Sequence, residues 1–396
     1  MSFATLALIG AVALAGPLLA LVPRLSSPML LGELAAGIAL GASGAGVLHP
    51  LNPTFAFLAN IGFALVMFVA GSHVPVRDAR VRAALRGGCL RAVAVGLVSV
   101  GLGLLLARVF NTGHAPLYAV LLASSSAALV LPLLDEVGLS GGEVLDTIAQ
   151  VAVADTACIV ALPLVIEPSK AARAALGAIA VAAASALIWA VFAWLQRRGY
   201  RRRVHKLSER RHFALELRVS LTLLFALAAL ATVTHVSVML AGFGIGLAVA
   251  AIGEPRRLAH QLFALTEGFF GPLFFVWIGA AVDLRTLNGH PKYIVLGIAL
   301  GAAAVMAHGS MRLTGQSASS AVVTAAELGV PIAAVTLGTQ RHLLQSGEAA
   351  AILLGALITI VAATVAVRHK ANKMQSADRH TGTDSVVVPG DGVEAR

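Results

Sequence analysis

The sequence predicts an all-α polytopic membrane protein, and three observations carry that reading. The 396-residue chain is 58% hydrophobic and only 12% charged, with a mean hydropathy of +0.87; a soluble domain of this length carries roughly 25% charged residues. Apolar stretches near 20 residues recur from end to end, the length that crosses a hydrocarbon core. The short alternating segments of a membrane β-barrel are absent. A net charge of +10 therefore reads as topological anchoring. The bilayer is the expected partner and nucleic acid is not. Cys89 and Cys158 lie in apolar surroundings and offer neither a disulfide framework nor a metal site. Neither an enzyme's catalytic set nor a cofactor is expected.

About thirteen spans follow in order. Span 1 (3–23) has no basic leader and resembles the segments after it, so it reads as a retained span rather than a signal peptide. Spans 2 (28–46) and 3 (54–71) are apolar and rich in small residues, and span 4 (88–110) follows the basic RDARVRAALR at 77–86. Span 5 (115–135) carries Ser124, Ser125, Ser126 and then Pro132, while span 6 (143–166) carries Asp155 about halfway along. Span 7 (171–195) leads into RRGYRRRVHKLSERR at 197–211, a joint between two halves. Spans 8 (213–233), 9 (235–252), 10 (259–283) and 11 (292–308) are again apolar runs. Span 12 (314–338) holds Glu327, Gly329 and Pro331 in its middle, and span 13 (346–367) ends the series. The membrane domain is thus 1–367, followed by a short polar tail, 368–396, expected to be cytoplasmic and disordered.

Lysine and arginine test that count. With the N-terminus outside, inner segments collect Arg24, 77–86, 197–211, Arg256, Arg257 and Arg312, with Arg368, Lys370 and Lys373 after the last span. Outer segments hold only Lys170, Arg173, Arg285, Lys292 and Arg341, with Arg108 near the outer edge. That asymmetry follows the positive-inside rule, and it favours an odd number of spans with the C-terminus inside.

LGELAAGI (31–38) in span 2 matches LAGFGIGL (240–247) in span 9 in its pattern of apolar and small residues. The offset of seven spans makes the copies inverted, a common build for secondary transporters. Small residues recurring for helix packing are the simpler explanation. The repeat also pairs span 5 with span 12, the two spans that combine a proline with a hydroxyl cluster or a carboxylate. Interrupted helices at corresponding places point to a midplane site. Proline by itself is weaker, since Pro17, Pro163 and Pro272 also lie in spans; a plain kink is the alternative.

A charged group at the bilayer centre is costly, at least about 2.5 kcal/mol on insertion scales. Asp155 has no basic residue in its own span, so it is the leading candidate: one carboxyl that a proton or a cation can occupy. A protonated acid hydrogen-bonded to a neighbouring helix is the structural alternative. Two roles are open to Glu327, ion binding or neutralising facing helix N-termini. Glu33, Glu216 and Glu267 read as structural or interfacial. Asp135, Glu136, Glu143 and Asp146 around the turn between spans 5 and 6 read as solvated loop charge, with an acidic funnel as the alternative. His73, His114, His290 and His308 sit at span ends, where a pH-sensing role is conceivable.

Taken together, LLGELAAGIALG (30–41), SSSAALVLPLLDEVG (124–138), VAVADTACIVALPL (151–164), VMLAGFGIGLAVA (238–250), EGFFGPLFFVWIGAAVDL (267–284) and RLTG (312–315) resemble the bacterial monovalent cation:proton antiporters, Kef-type and NapA-type, over about 3–367. The resemblance implies an NhaA-like antiporter fold of thirteen helices: inverted repeats, two discontinuous crossing helices, and a core that moves against a dimerisation domain in a homodimer. It places the ion-binding aspartate at Asp155 and the crossing at spans 5 and 12. Electrogenic members carry two adjacent acids in the sixth helix and a lysine in the eleventh. Here Ala154 precedes Asp155, and span 11 has only Lys292 and His308, at its ends. The family's arginine-glycine-glutamate of the twelfth helix falls on Pro331, Ile332 and Ala333, so Glu327 is not its clear equivalent.

The expected function is therefore exchange of Na⁺ or K⁺ for H⁺ across a bacterial inner membrane, electroneutral, by alternating access at Asp155. Ser124, Ser125, Ser126, Thr156 and Glu327 are expected around the ion, with Pro132, Gly329 and Pro331 at the helix breaks. The cations and the proton are cargo rather than cofactors. A channel-like conduit and an ion-coupled solute symporter on the same scaffold are the alternatives; the Ala, Gly, Leu and Val of these spans favour a small ion over a large solute.

Overall fold

A computed structural model describes residues 2–20, 29–73, 77, 79–136, 142–166, 169, 171–199, 214–234, 236–253, 256–281, 285, 291–345 and 347–381. The anchor Arg24, Lys170, the stretch 200–213, His290 and the segment 382–396 lie outside the described residues. Among those described, every regular element is helical. Eight helices are long and apolar enough to cross a membrane by length and composition, and shorter apolar helices cover Phe3–Leu18, Val238–Ile252 and Gly329–Thr339.

In chain order the elements are α1 (Phe3–Ala13), α2 (Ala15–Ala20), α3 (Met29–Leu40), α4 (Pro53–His73), α5 (Ala79–Val109), α6 (Ala115–Ala123), α7 (Ala127–Glu136), α8 (Gly142–Ile166) and α9 (Ala171–Arg197). They continue with α10 (Leu215–Val233), α11 (Val238–Ile252), α12 (Arg256–Leu265), a π-helical turn (Thr266–Phe270), α13 (Gly271–Ala281) and α14 (Pro291–Gly309). A 3₁₀ turn (Ser310–Thr314), α15 (Ala318–Val323), α16 (Gly329–Gln340) and α17 (Glu348–Thr381) complete the order.

The helices sort into two bundles. In one, α5 packs on α6 and α8, α14 packs on α17, and α15 and α16 pack on α17. In the other, α4 packs on α11, α3 on α13, and α9 and α10 on α11. The bundles meet where α8 touches α9 and α4 touches α7.

Close approach without side chains holds the second bundle. A Cβ on Gly37 would stand 2.3 Å from the Val276 carbonyl oxygen, and one on Gly279 would stand 2.2 Å from that of Leu34. The α4–α11 seam repeats this arrangement, Gly71 facing the Phe243 oxygen at 2.4 Å and Gly246 the Phe68 oxygen at 2.2 Å. Leu34 and Gly37 occupy the same places in LGELAAGI as Phe243 and Gly246 in LAGFGIGL. Backbones this near gain dispersion contacts that larger residues would block, which is how helices associate where lipid removes the hydrophobic drive.

Prolines explain the irregular turns. The ring of Pro17 clashes with the carbonyl four residues back, which belongs to Ala13, the last residue of α1; span 1 is accordingly two helices. Pro272 follows the π turn at Thr266–Phe270. Two expectations are corrected. Pro132 lies inside α7, and span 5 breaks earlier, at Ser124–Ser126. The tail does not begin at 368: 368–381 continue α17, since this stretch contains neither Pro nor Gly and Gly382 is the first to appear.

Replacing Gly246 by valine forces a methyl-bearing carbon into the Phe68 carbonyl. Overpacking of this kind destabilises by on the order of 2 kcal/mol or more, so the thermal midpoint of purified protein in detergent falls by several degrees. Gly101→Val, in α5 where nothing lies within 4 Å of a built Cβ, leaves the midpoint near that of the parent.

Candidate functional site

The two broken helices of the first bundle cross at their breaks. α6 ends because Ser124 turns extended, at φ −74° and ψ 151°, with its N–H on the Leu121 carbonyl. Serine hydroxyls compete for backbone partners, which weakens a helix at a run of them. On the other strand of the crossing, α15 starts at the N-cap Ser317, whose hydroxyl accepts from the Ser320 N–H at 3.3 Å. It ends at Thr324. Gly329 and Pro331 open α16, where a missing proline N–H is tolerated because first-turn donors have no helical partner.

Each break supplies what the other lacks. The Ser126 N–H donates to the Ala326 carbonyl at 2.8 Å. The Ser125 hydroxyl donates to the Thr324 carbonyl, and Ser124 lies with its hydroxyl against both the Glu327 carboxylate and the Leu121 carbonyl. All three serines and Glu327 are buried. The C-terminal ends of α6 and α15 and the N-terminal ends of α7 and α16 flank the crossing, bringing partial charges of both signs to one place.

Asp155 comes up from α8 beneath this crossing, 3% exposed. Its Oδ2 accepts the Ala127 N–H at 2.9 Å, the first N–H of α7. Among the described residues its hydrogen-bond partner is that backbone donor, and no Lys, Arg or His side chain is bonded to it. In the other half, the Glu327 N–H donates to the Thr359 hydroxyl of α17 at 3.3 Å. Thr359 thus stands to the second break as Asp155 stands to the first.

Of the residues singled out in the sequence, Asp155, Ser124, Ser125, Ser126 and Glu327 are brought together. Thr156 is half-buried, and its hydroxyl donates along its own helix to the Ala152 carbonyl at 2.8 Å. Glu143 and Asp146 lie in the first turns of α8 rather than in a loop and, though partly exposed, are paired: Lys370 with Glu143 at 2.9 Å and Arg91 with Asp146 at 3.2 Å. The side chains of Asp135, Glu136 and Pro132 lie outside the described residues.

Three residues that sequence reasoning missed, Gln150, Thr324 and Thr359, complete the polar cluster together with His308, which reads in the sequence as a span-end histidine. Thr324 receives the Gln150 amide at 3.4 Å, and His308 Nδ1 lies 2.8 Å from the same hydroxyl. With Thr359, all are fully buried. His308 reaches the crossing although it is the penultimate residue of α14, because the 3₁₀ turn and the six-residue α15 bring the chain straight back. The signal was present for Gln150, a polar residue five positions before Asp155 in an apolar span, and for Thr324, three before Glu327.

A cavity of about 300 Å³ opens between the bundles, bordered by Asn60, Phe63, Phe274 and Trp277 on one side and by Ile332 and Thr336 of α16 on the other. Ile332 lies in the first turn of α16, next to the crossing.

Comparison with known proteins accords with this geometry. The family model for the transmembrane region of sodium/hydrogen exchangers matches residues 10–373. The Na⁺/H⁺ antiporter NhaS5 of Synechocystis sp. is 29% identical over 74% of this chain and 43% of its own length. The glutathione-regulated potassium-efflux protein KefC of Klebsiella pneumoniae is 30% identical over 73% of this chain and 46% of its own. The putative Na⁺/H⁺ antiporter YjbQ of Bacillus subtilis is 24% identical over 91% and 62%. The chain therefore spans less than two thirds of the curated relatives it matches. Among solved structures, the sodium proton antiporter MjNhaP1 of Methanocaldococcus jannaschii superposes with a TM-score of 0.67 at 15% identity, covering 98% of this chain and all of that one. These relatives are transporters, not enzymes. The chain belongs to the sodium/hydrogen exchanger transmembrane family.

Proposed function

We propose that the protein exchanges a monovalent cation, Na⁺ or K⁺, for H⁺, with Asp155 as the single group that the two ions share. One observation carries the reading: a buried carboxylate, bonded to no basic side chain among the described residues, caps the half-helix α7 at the crossing of two broken helices. One oxygen of Asp155 holds α7, and the other is left to face an ion. Carboxylate, hydroxyl and carbonyl oxygens suit a hard cation such as Na⁺ or K⁺, and an unpaired carboxyl suits a proton equally. Occupancy by one excludes the other, which is what exchange requires.

The proposed architecture is that of thirteen spans in two inverted repeats. The matched glycine seams Gly37–Gly279 and Gly246–Gly71 support it, as does the matched placing of Asp155 and Thr359. The bundle α5–α8 with α14–α17 is the moving core, and the bundle of α3, α4 and α11 to α13 is the frame that would join two subunits. The cavity along α16, between core and frame, gives the core room to rock. The placement that accounts for the lysine and arginine asymmetry is a bacterial cytoplasmic membrane with the N-terminus outside and the C-terminus, with its polar end, inside.

Exchange is electroneutral in this proposal. A lysine pairing with the aspartate would release or take up a charge of its own; instead the span-11 residue nearest the site is His308, and it meets Thr324 rather than Asp155. One carboxylate then carries one cation or one proton across, and the complex has the same charge in both crossings.

In proteoliposomes with an internal pH dye, a Na⁺ or K⁺ pulse against a pH gradient moves the dye signal, and Asp155→Asn reduces that movement to the protein-free level. Retained exchange in that variant rules the mechanism out. Ser124→Ala and Glu327→Gln raise the cation KM several-fold while leaving measurable turnover, because they loosen the crossing without removing the shared carboxylate. Setting the membrane potential with thiocyanate gradients, which involve neither candidate cation, leaves the initial rate of cation-driven exchange unchanged; a rate that follows the potential excludes one-for-one stoichiometry.

A further inference from the structure

Helices α8 and α17 open on the same dipeptide, Gly142-Glu143 and Gly347-Glu348. Each glutamate reaches the start of the broken helix that belongs to the other half. Glu143 accepts the N–H of Ser317, the N-cap of α15, at 3.0 Å; it also takes Lys370 Nζ at 2.9 Å, and Lys370 donates on to Ser320 at 2.6 Å. Glu348 meets Nδ1 of His114, the N-cap of α6, at 2.7 Å and accepts the Tyr118 hydroxyl at 2.6 Å. Its second oxygen takes the Gln345 N–H at 2.9 Å, and the Gln345 side chain accepts from Tyr293 at 2.6 Å. Lys370 lies about six turns beyond Glu348 in α17, about 33 Å away. The two clusters therefore clamp opposite ends of the core.

The clamps differ in one chemical respect. One is built on a lysine–glutamate pair, the other on an imidazole, the side chain that changes charge in the neutral range. Glu348 is fully buried, while the His114 side chain is 27% exposed, which puts its imidazole within reach of solvent. The hydrogen bond to Glu348 raises the His114 imidazolium above the usual histidine range, with burial working against it. The other charged or titratable groups on the surrounding elements are Arg108 at the end of α5, Tyr118 of α6, Lys292 and Tyr293 at the start of α14, and Arg341 and His342 in the loop before α17. Lys292 stands over the Tyr293 ring at 5.3 Å from its centroid.

We propose that the His114–Glu348 pair is a pH-sensitive latch: it holds the start of α6 against α17 in acid, releases it as pH rises, and so sets the pH above which exchange begins. The exchange half of this statement rests on the antiport reading above. Protonated His114 sits at a helix N-terminus, where the dipole disfavours it, so Glu348 is what retains the charge. Because the pKa of His114 is raised in the folded state, the stabilisation is full below the ordinary imidazole value near 6.5 and fades as pH rises through the folded-state value. The link to the ion site is short. α6 is nine residues long, with His114 at one end and Ser124 at the other. His114 and Glu348 are thus positioning residues, acting on the crossing through α6.

The experiment compares wild type, His114→Gln, Glu348→Gln and, as a control at the opposite clamp, Lys370→Gln. Thermal midpoints in detergent are taken from pH 6 to pH 9, and cation-driven exchange in proteoliposomes over the same range. In the wild type the midpoint falls through the histidine range; in His114→Gln and Glu348→Gln that component disappears, and the exchange onset moves about one pH unit toward acid. Lys370→Gln lowers the midpoint at every pH without moving the onset. Melting profiles of His114→Gln and Glu348→Gln that parallel the wild type at every pH overturn the latch. So does an unmoved onset in both variants, or an onset moved equally by Lys370→Gln. If no preparation exchanges any cation, the antiport reading fails by itself, and the melting profiles still decide whether the pair titrates.

Discussion

Two helices break inside the hydrocarbon core, and each break supplies hydrogen-bond partners to the other. Lipid offers none, so an unwound segment survives there only where protein satisfies it. The Ser126 N–H finds the Ala326 carbonyl, the Ser125 hydroxyl finds the Thr324 carbonyl, and the Glu327 N–H finds the Thr359 hydroxyl. The Ala127 N–H finds Asp155. That last contact makes one carboxylate answer to two demands. It caps α7, and in the proposed exchange it also holds the ion. A change in what Asp155 binds is therefore felt at once by the half-helix it caps.

Much of this was legible in the sequence, and what was not has physical reasons. Asp155 stood out because an acid in an apolar span is costly anywhere but at a cavity or a partner. The crossing was legible as a pair of interrupted spans, yet its position was misplaced at Pro132. Proline marks strain on its N-terminal side, where the preceding carbonyls lose their partner, and in span 5 the serines had already turned the chain. Gln150 and Thr324 were overlooked, and His308 reads in the sequence only as a span end, because their importance lies in contacts between helices far apart in the chain. Glu143 and Asp146 looked like solvent charges because their partners, Lys370 and Arg91, lie 227 and 55 residues away. The continuation of α17 past 368 was missed by weighing polarity over the absence of helix breakers.

The internal likeness of the halves is most informative where it fails. The glycine seams match, and so do the glutamates that open α8 and α17. Then the halves diverge: Asp155 caps one break, and a neutral hydroxyl, Thr359, serves the other. An acid in place of Thr359 would add a third carboxylate to a crossing that already holds Asp155 and Glu327, and like charges so near resist ionising together. With the threonine, the second break is held together at no electrostatic cost, and the site is left with a single titrating cap. Glu327 is the remaining acid, and its carboxylate is engaged by Ser124 rather than by a helix end.

The same contrast separates the bundles. The frame is joined by glycine backbones packed to within reach of each other's carbonyls, with one buried carboxylate, Glu33, beside the α3–α13 seam. The core has glycine contacts too, at Gly88, Gly103, Gly297 and Gly301, and adds hydrogen bonds and ion pairs between its helices. A rigid frame and an electrostatically held core meet at a cavity along α16, and the helices that would slide past one another there, α4 and α16, line it with Asn60, Phe63, Ile332 and Thr336. Motion within the crossing would break several buried hydrogen bonds. In the proposed exchange the crossing moves as a unit past the frame, because its buried hydrogen bonds hold its two breaks together.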